Sequence, residues 1–214
     1  MIAGRYRYVA IEGPIGAGKT SLTRKLAQHF GAQTLLEKPE ANPFLERFYA
    51  DRARYALPTQ LFFLFQRVQQ LAELRQLDLF REQLLFADFL LDKDPLFARL
   101  TLADDELRLY EQILAQLRPQ TPPPDLVIAL QAAPATLAER VLRRGNPVEA
   151  RLGADYLAAL VESYANFFHH YDDAPVLIVN TEHLNPIDNE SDFGLLLDRI
   201  GRLRGRREYF NLAA

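Results

Sequence analysis

Gly13-Pro14-Ile15-Gly16-Ala17-Gly18-Lys19-Thr20 follows the pattern G-x-x-x-x-G-K-[ST], and nothing else in the chain restricts its fold as strongly. The apolar run Tyr6 to Glu12 precedes it, and an amphipathic pattern opens near Lys19, so the glycines must carry the chain abruptly from a strand into a helix. Such a turn aims its backbone N–H groups inward at phosphate oxygens, and the following helix adds the positive end of its dipole. Lys19 would reach the outer phosphates of a nucleotide, and the Thr20 hydroxyl would ligate Mg²⁺. Gly13 to Ser21 are therefore the expected ATP-binding residues: Gly13, Pro14, Ile15, Gly16, Ala17, Gly18, Lys19, Thr20 and Ser21.

Four more short apolar runs read as strands, at Thr34 to Glu37, Leu84 to Asp88, Leu126 to Leu130 and Val176 to Val179. Helical patterns lie between them, notably Pro58 to Leu79 and Asp104 to Leu117. The alternation predicts an α/β chain with a five-stranded parallel sheet flanked by helices on both faces, and together with the glycine motif the expected architecture is the P-loop kinase fold with a helical lid. At 214 residues it should form one domain over 1–214. The proline-rich 118–125 stretch reads as a loop and the arginine-rich 201–207 stretch as a solvated helix end. A formal charge of −3 argues against a nucleic-acid backbone as partner. No apolar run approaches the roughly 20 residues that span a bilayer, and no secretory leader is visible, so a cytoplasmic location is expected. With no cysteine, the chemistry falls to oxygen and nitrogen groups.

Ligands of such sheets gather at the carboxyl ends of the strands, and carboxylates stand there. Asp88 closes the third run, as a metal-binding acid or a loop cap. Glu37 closes the second and is the candidate base for a hydroxyl acceptor, with Glu40 competing. Gln60 and Arg67, seven residues apart, share one helical face with Phe63 and Leu64 between them; they either read the edge of a flat ring or reach to solvent. Arg140, Arg143 and Arg144 lie where a helix could fold over bound phosphates, or simply complement a helix end.

The ordered set Tyr8-Val9-Ala10-Ile11-Glu12-Gly13, Asn42-Pro43-Phe44-Leu45, Tyr55 to Arg67, Asp92-Lys93-Asp94 with Leu96-Phe97-Ala98, and Glu139-Arg140 through Tyr156-Leu157 resembles the deoxynucleoside kinases, especially their bacterial deoxyadenosine and deoxyguanosine branch. That resemblance implies a small-molecule deoxynucleoside as acceptor, ATP with Mg²⁺ as donor, and a homodimer. It implies Glu37 as the base for the 5′-hydroxyl, Tyr49 and Glu149 on the 3′-hydroxyl, Gln60 and Arg67 on the base edge, and Phe97 stacked on the base. Asp92 or Asp94 would partner Arg67, and Arg140 and Arg144 would be lid arginines. Two positions depart from the family pattern. Phe89 follows Asp88 where an arginine is usual, with Lys93 as a substitute, and Asn146 stands where the lid often has another arginine.

Two other readings stay open. A nucleoside monophosphate kinase would need cations near its acceptor, and Arg47, Arg52 and Arg54 are available. A non-catalytic nucleotide-binding subunit is the other. The Pro58 to Leu79 helix is apolar over more than one face, through Leu61, Leu64, Val68 and Leu71 and then Phe62 and Phe65, which suits a symmetric second contact.

Overall fold

The computed structural model describes residues 4–76, 83–117, 123–146, 149 and 152–212. The end of the expected 58–79 helix, much of the proline-rich loop and the middle of the expected lid lie outside them.

β1 (Tyr8–Glu12) is buried along its whole length and lies inside the sheet, as its near-continuous apolar run requires. It pairs in parallel with β3 (Leu85–Ala87) on one side and β4 (Leu126–Gln131) on the other. β2 (Gln33–Leu35) flanks β3, β5 (Val176–Asn180) flanks β4, and the order is β2-β3-β1-β4-β5-β6, parallel throughout. Among the described residues the sheet thus has six strands, not five. The helix before the sixth strand ends at Arg202, inside the 201–207 stretch read as a helix end, and β6 (Arg207–Phe210) follows as an unexpected edge strand with half-exposed side chains. β2 is also shorter than expected and leaves Glu37 just beyond its end.

Side chains alternate across the sheet. Val9, Ile11, Ile128 and Val179 face α1 (Lys19–Phe30) and α8 (Glu190–Arg202), meeting Leu22, Leu26, Phe193 and Leu196. Ala10, Val127, Ala129 and Ile178 face α7 (Ala154–His170), meeting Leu160, Tyr164 and Phe168, together with Leu96 of α4 (Asp94–Thr101). Each fully buried Leu or Phe contributes about 1.5–3 kcal/mol by leaving water.

Between β2 and β3 run the short α2 (Leu45–Ala50) and the long α3 (Arg52–Gln76). α3 starts a turn and a half before Pro58, the expected first residue, and holds that proline within it. The Asp51 carboxylate accepts the Arg54 N–H at 3.3 Å, a start signal that the proline hides. α5 (Asp104–Leu117) has the expected bounds and packs on α3, burying Tyr110 beside Leu64. α6 (Pro134–Arg144) opens on proline and closes on Gly145 at φ 72°. No described helix is long and apolar enough to cross a membrane.

Candidate active site

The loop from β1 to α1 is held against its neighbours so closely that only glycine fits. Gly13 has φ 154°, and a Cβ there would lie 2.6 Å from the Leu130 carbonyl oxygen of β4. Gly16 has φ 84°, and its Cβ would lie 2.8 Å from the Leu137 carbonyl oxygen of α6. Gly18, at φ 93°, leads into α1 with no side chain capping the first turn, so those N–H groups are available to a phosphate. Gly16→Ala should therefore push α6 and its arginines away while straining the loop. A loss of about 1–3 kcal/mol in stability and a raised KM for the nucleotide are expected, read by thermal melting and steady-state kinetics.

Two cavities meet on this loop, sharing Gly16, Gly18 and Arg144. The larger, about 760 Å³, is lined by Ala17, Ser21, Arg140, Arg143 and the connection Thr181 to Asp188. Arg140 donates to the Thr181 hydroxyl at 2.9 Å and the Thr181 carbonyl at 2.6 Å, which directs it along the wall of this cavity. Glu182 accepts from the Thr136 hydroxyl at 2.5 Å and from the Ala133 N–H at 2.9 Å, tying the connection to the start of α6.

The smaller cavity, about 150 Å³, lies across the loop and gathers Ile15, Lys19, Thr20, Glu37, Tyr49, Gln60, Arg67, Asp88, Lys93, Phe97 and Glu149. Nearly every expected acceptor-side residue is there. Glu40 is exposed on the turn after Pro39 and does not line it. Gln60 and Arg67 are buried from α3, which closes the alternative that they reach to solvent. Gln60 donates to the Thr101 hydroxyl at 3.5 Å, a long contact that a better acceptor could replace. The Arg67 guanidinium carbon lies 5.2 Å from the Phe63 ring centroid. Arg144 reaches Glu149 at 3.1 and 3.2 Å. Burial, then Tyr156 and Glu149, push the Tyr49 hydroxyl pKa up, so it remains a hydrogen-bond donor.

Asp92 requires a correction. The carboxylate that pairs with Arg67 is Asp94, at 2.5 Å, whereas Asp92 lines a separate groove with Arg99 and Phe167. Asp92 sits on a 3-10 turn, Leu91–Lys93, whose roughly 120° step per residue sends neighbouring side chains in different directions, and Asp94 opens α4 just after it.

Glu37 receives Arg67 Nε at 2.6 Å and Nη2 at 2.5 Å, and Lys93 Nζ at 3.2 Å, all on Oε1. Burial alone would raise its pKa, but Arg67, then Lys93 and Lys19, hold it down to about 2. A depressed carboxyl stabilises the fold above its unfolded value of 4.5, and that stability is lost as pH falls through about 2. Glu37→Gln should therefore be less stable than wild type at neutral pH, on the order of 2–3 kcal/mol. The gap should close between about pH 4.5 and 2 in denaturant titrations.

Asp88 accepts the Thr20 hydroxyl at 2.5 Å and the Glu37 N–H at 2.7 Å. A hydroxyl and a carboxylate side by side are hard oxygen donors, the set that suits Mg²⁺. Burial pushes the Asp88 pKa up, against the Thr20 hydrogen bond, and a bound cation would offset that. Lys19 donates to the Gly13 carbonyl at 2.8 Å and the Pro14 carbonyl at 3.2 Å, lying along its own loop. Burial lowers its pKa.

Sequence reasoning did not pick out Glu12, fully buried at the end of β1. A charged residue closing an otherwise apolar buried strand was the available signal. Tyr164 and the Thr181–Glu182 connection were also missed, for they read as core and loop.

A glycine-rich phosphate loop between two cavities, with a hydroxyl–carboxylate pair and an ionised, cation-held glutamate on the far side, defines a P-loop phosphotransferase with a separate acceptor pocket. The chain belongs to the deoxynucleoside kinase family, whose profile matches residues 9–203, and it is a kinase working from a nucleotide phosphate donor. Deoxyguanosine kinase of Bacillus subtilis (strain 168) is 34% identical over 200 residues, covering 92% of this chain and 97% of that protein. Deoxyadenosine kinase of Lactobacillus acidophilus is 30% identical, covering 85% of this chain and 88% of the other. The structure of deoxyadenosine kinase from M. mycoides with dCMP and a flexible dCDP superposes with a TM-score of 0.79, covering 92% of this chain and 100% of that one; at 23% identity it speaks for the fold.

Proposed function

We propose that this chain, as one domain over 1–214, transfers the γ-phosphoryl group of ATP, with Mg²⁺, to the 5′-hydroxyl of a purine deoxynucleoside. The observation that carries this reading is the Glu37 carboxylate, ionised and held by two cations in the cavity that also contains Lys19 and Thr20. The larger cavity suits the donor nucleotide and the smaller one the nucleoside. Glu37 orients the hydroxyl and accepts its proton, and Gly13 to Ser21 cradle the phosphates through backbone N–H groups. Lys19, Arg140 and Arg144 offset charge on the transferring group. Thr20 and Asp88 would hold Mg²⁺, which supplies further charge neutralisation when bound. Tyr49 and Glu149 take the 3′-hydroxyl, Gln60 and Arg67 the base edge, and Phe97 the base face.

The purine preference is supported by the names of the two relatives above, a deoxyguanosine and a deoxyadenosine kinase. Homodimer formation in the cytoplasm completes the proposal, supported by the 51% exposure of Phe65 on α3.

The test is ATP-dependent phosphorylation with Mg²⁺ across deoxyadenosine, deoxyguanosine, deoxycytidine, thymidine and the nucleoside monophosphates. Faster turnover of a purine deoxynucleoside supports the reading. Turnover confined to monophosphates would assign the acceptor pocket to an anion, and a pyrimidine preference would reverse the base.

A further inference from the structure

Lys93 is a lysine with 2% exposure, charged among carboxylates on both sides. On one side is Glu12, itself fixed by three neutral donors: the Tyr164 hydroxyl at 2.8 Å, the Gly13 N–H at 2.8 Å and the Leu90 N–H at 2.9 Å. Lys93 Nζ lies 3.1 Å from Glu12 Oε2 and 3.4 Å from Oε1. On the other side it lies 3.2 Å from Glu37 Oε1. One ammonium group therefore links the anchored end of β1 to a glutamate that stands beyond the end of β2, where no sheet ladder orients it.

Three neutral donors already serve the Glu12 carboxylate, and a lysine deep in protein is costly to keep charged. Balancing Glu12 does not require the same ammonium to reach Glu37. Its position does something more specific. Arg67, whose other face is fixed by Asp94, also converges on Glu37 Oε1, so the two cations hold one oxygen and leave Oε2 as the one able to take a proton. We propose that Lys93, seated on the Glu12 anchor, is a positioning residue that fixes the Glu37 carboxylate for proton transfer. This rests on the reading of Glu37 as the base.

Removing Lys93 alone strands Glu12, so the informative variant is Glu12→Gln/Lys93→Met, which deletes the pair as a unit. The introduced glutamine keeps one oxygen for the Gly13 N–H and the Tyr164 hydroxyl, although its amide then faces the Leu90 N–H, and the methionine approximates the lysine stem. The expected result is a folded enzyme with KM for ATP within about threefold of wild type and kcat for the deoxynucleoside lower by about 30–100-fold. In a Glu37→Gln background the same pair of changes should cost less than about threefold more, because residues acting through one group are not additive. Lys93→Arg keeps the charge but misplaces it, and should fall between wild type and the double variant with KM for ATP unchanged.

A double variant with wild-type kcat would overturn the proposal, as would an equal loss with and without Glu37. If the double variant does not fold, Lys93→Arg decides: lowered kcat at constant KM for ATP supports positioning, and unchanged kcat refutes it. Full activity in Glu37→Gln alone would instead refute the reading of Glu37 as the base, so the two failures are separable.

Discussion

Glu37→Gln is expected to lower kcat for phosphorylation of a deoxynucleoside by about 10²–10³-fold, within the range of roughly 10²–10⁴ that general-base catalysis supplies. The lower half of that range follows from the site's electrostatics. With its pKa held down to about 2 beneath Arg67, Lys93 and Lys19, Glu37 is a weak base in the ground state. In a loose phosphoryl-transfer transition state, however, the attacking hydroxyl becomes acidic only as its bond to phosphorus forms. A permanently ionised, fixed carboxylate then contributes mainly by orienting the hydroxyl and receiving the proton late. The substituted amide keeps the shape and one acceptor oxygen but cannot take the proton. KM for ATP should stay within a few-fold, since Glu37 lies in the smaller cavity and not against the larger one. Single-turnover measurements beside kcat keep slow product release from hiding the effect. A variant that folds and turns over within tenfold of wild type would remove Glu37 from the base role.

How far the sequence reached depends on the kind of signal. The glycine loop was readable to the residue because its pattern is local: strand, turn and helix lie within about twenty positions. Glu37 and Asp88 were readable because parallel strands deliver their last residues to one edge. Helical phase brought Gln60 and Arg67 together, although phase alone could not say whether that face was buried. The charge network behind them was not legible from spacing; Lys93, and Asp94 as an alternative to Asp92, entered only through the family resemblance. Glu12, Glu37, Arg67 and the adjacent pair Lys93 and Asp94 meet only because the end of β1, the stretch after β2, α3 and the turn opening α4 converge, and no spacing rule covers four separate segments. Asp92 lies on a 3-10 turn and Asp94, two positions on, opens α4, so their side chains leave the backbone in different directions. β6 escaped because an edge strand has one open side, so Arg207-Glu208-Tyr209-Phe210 lacks the apolar density that marked the buried strands.

Arg67→Met should cause the largest loss of stability, about 3–5 kcal/mol at pH 7, the usual cost of removing one partner from a buried ion pair. The variant strands two carboxylates at once. Glu37 keeps Lys93 at 3.2 Å, but Asp94, fully enclosed, loses the guanidinium that it contacts at 2.5 Å. Burial already pushes the Asp94 pKa up to about 6 against the opposing pull of Arg67 and Lys93. Without Arg67 it rises further, and the folded variant takes up a proton there. A carboxyl whose folded value lies above its unfolded one favours folding at low pH, and that benefit disappears as pH rises through the folded value. Wild-type Asp94 is half-ionised at about pH 6, so the penalty of Arg67→Met should grow as pH rises above about 6, in the same direction as the Glu37→Gln penalty but in a higher window. At roughly 2–4 °C per kcal/mol for a chain of this size, the melting temperature should drop by about 10 °C. Asp94→Asn in the same chain should restore part of it by removing the unpaired charge, even though activity stays low because the proposed base-edge contact is gone. Melting curves of wild type and both variants at pH 5 and pH 7 check each step, and a penalty independent of pH would mean that Asp94 is not the group left unpaired.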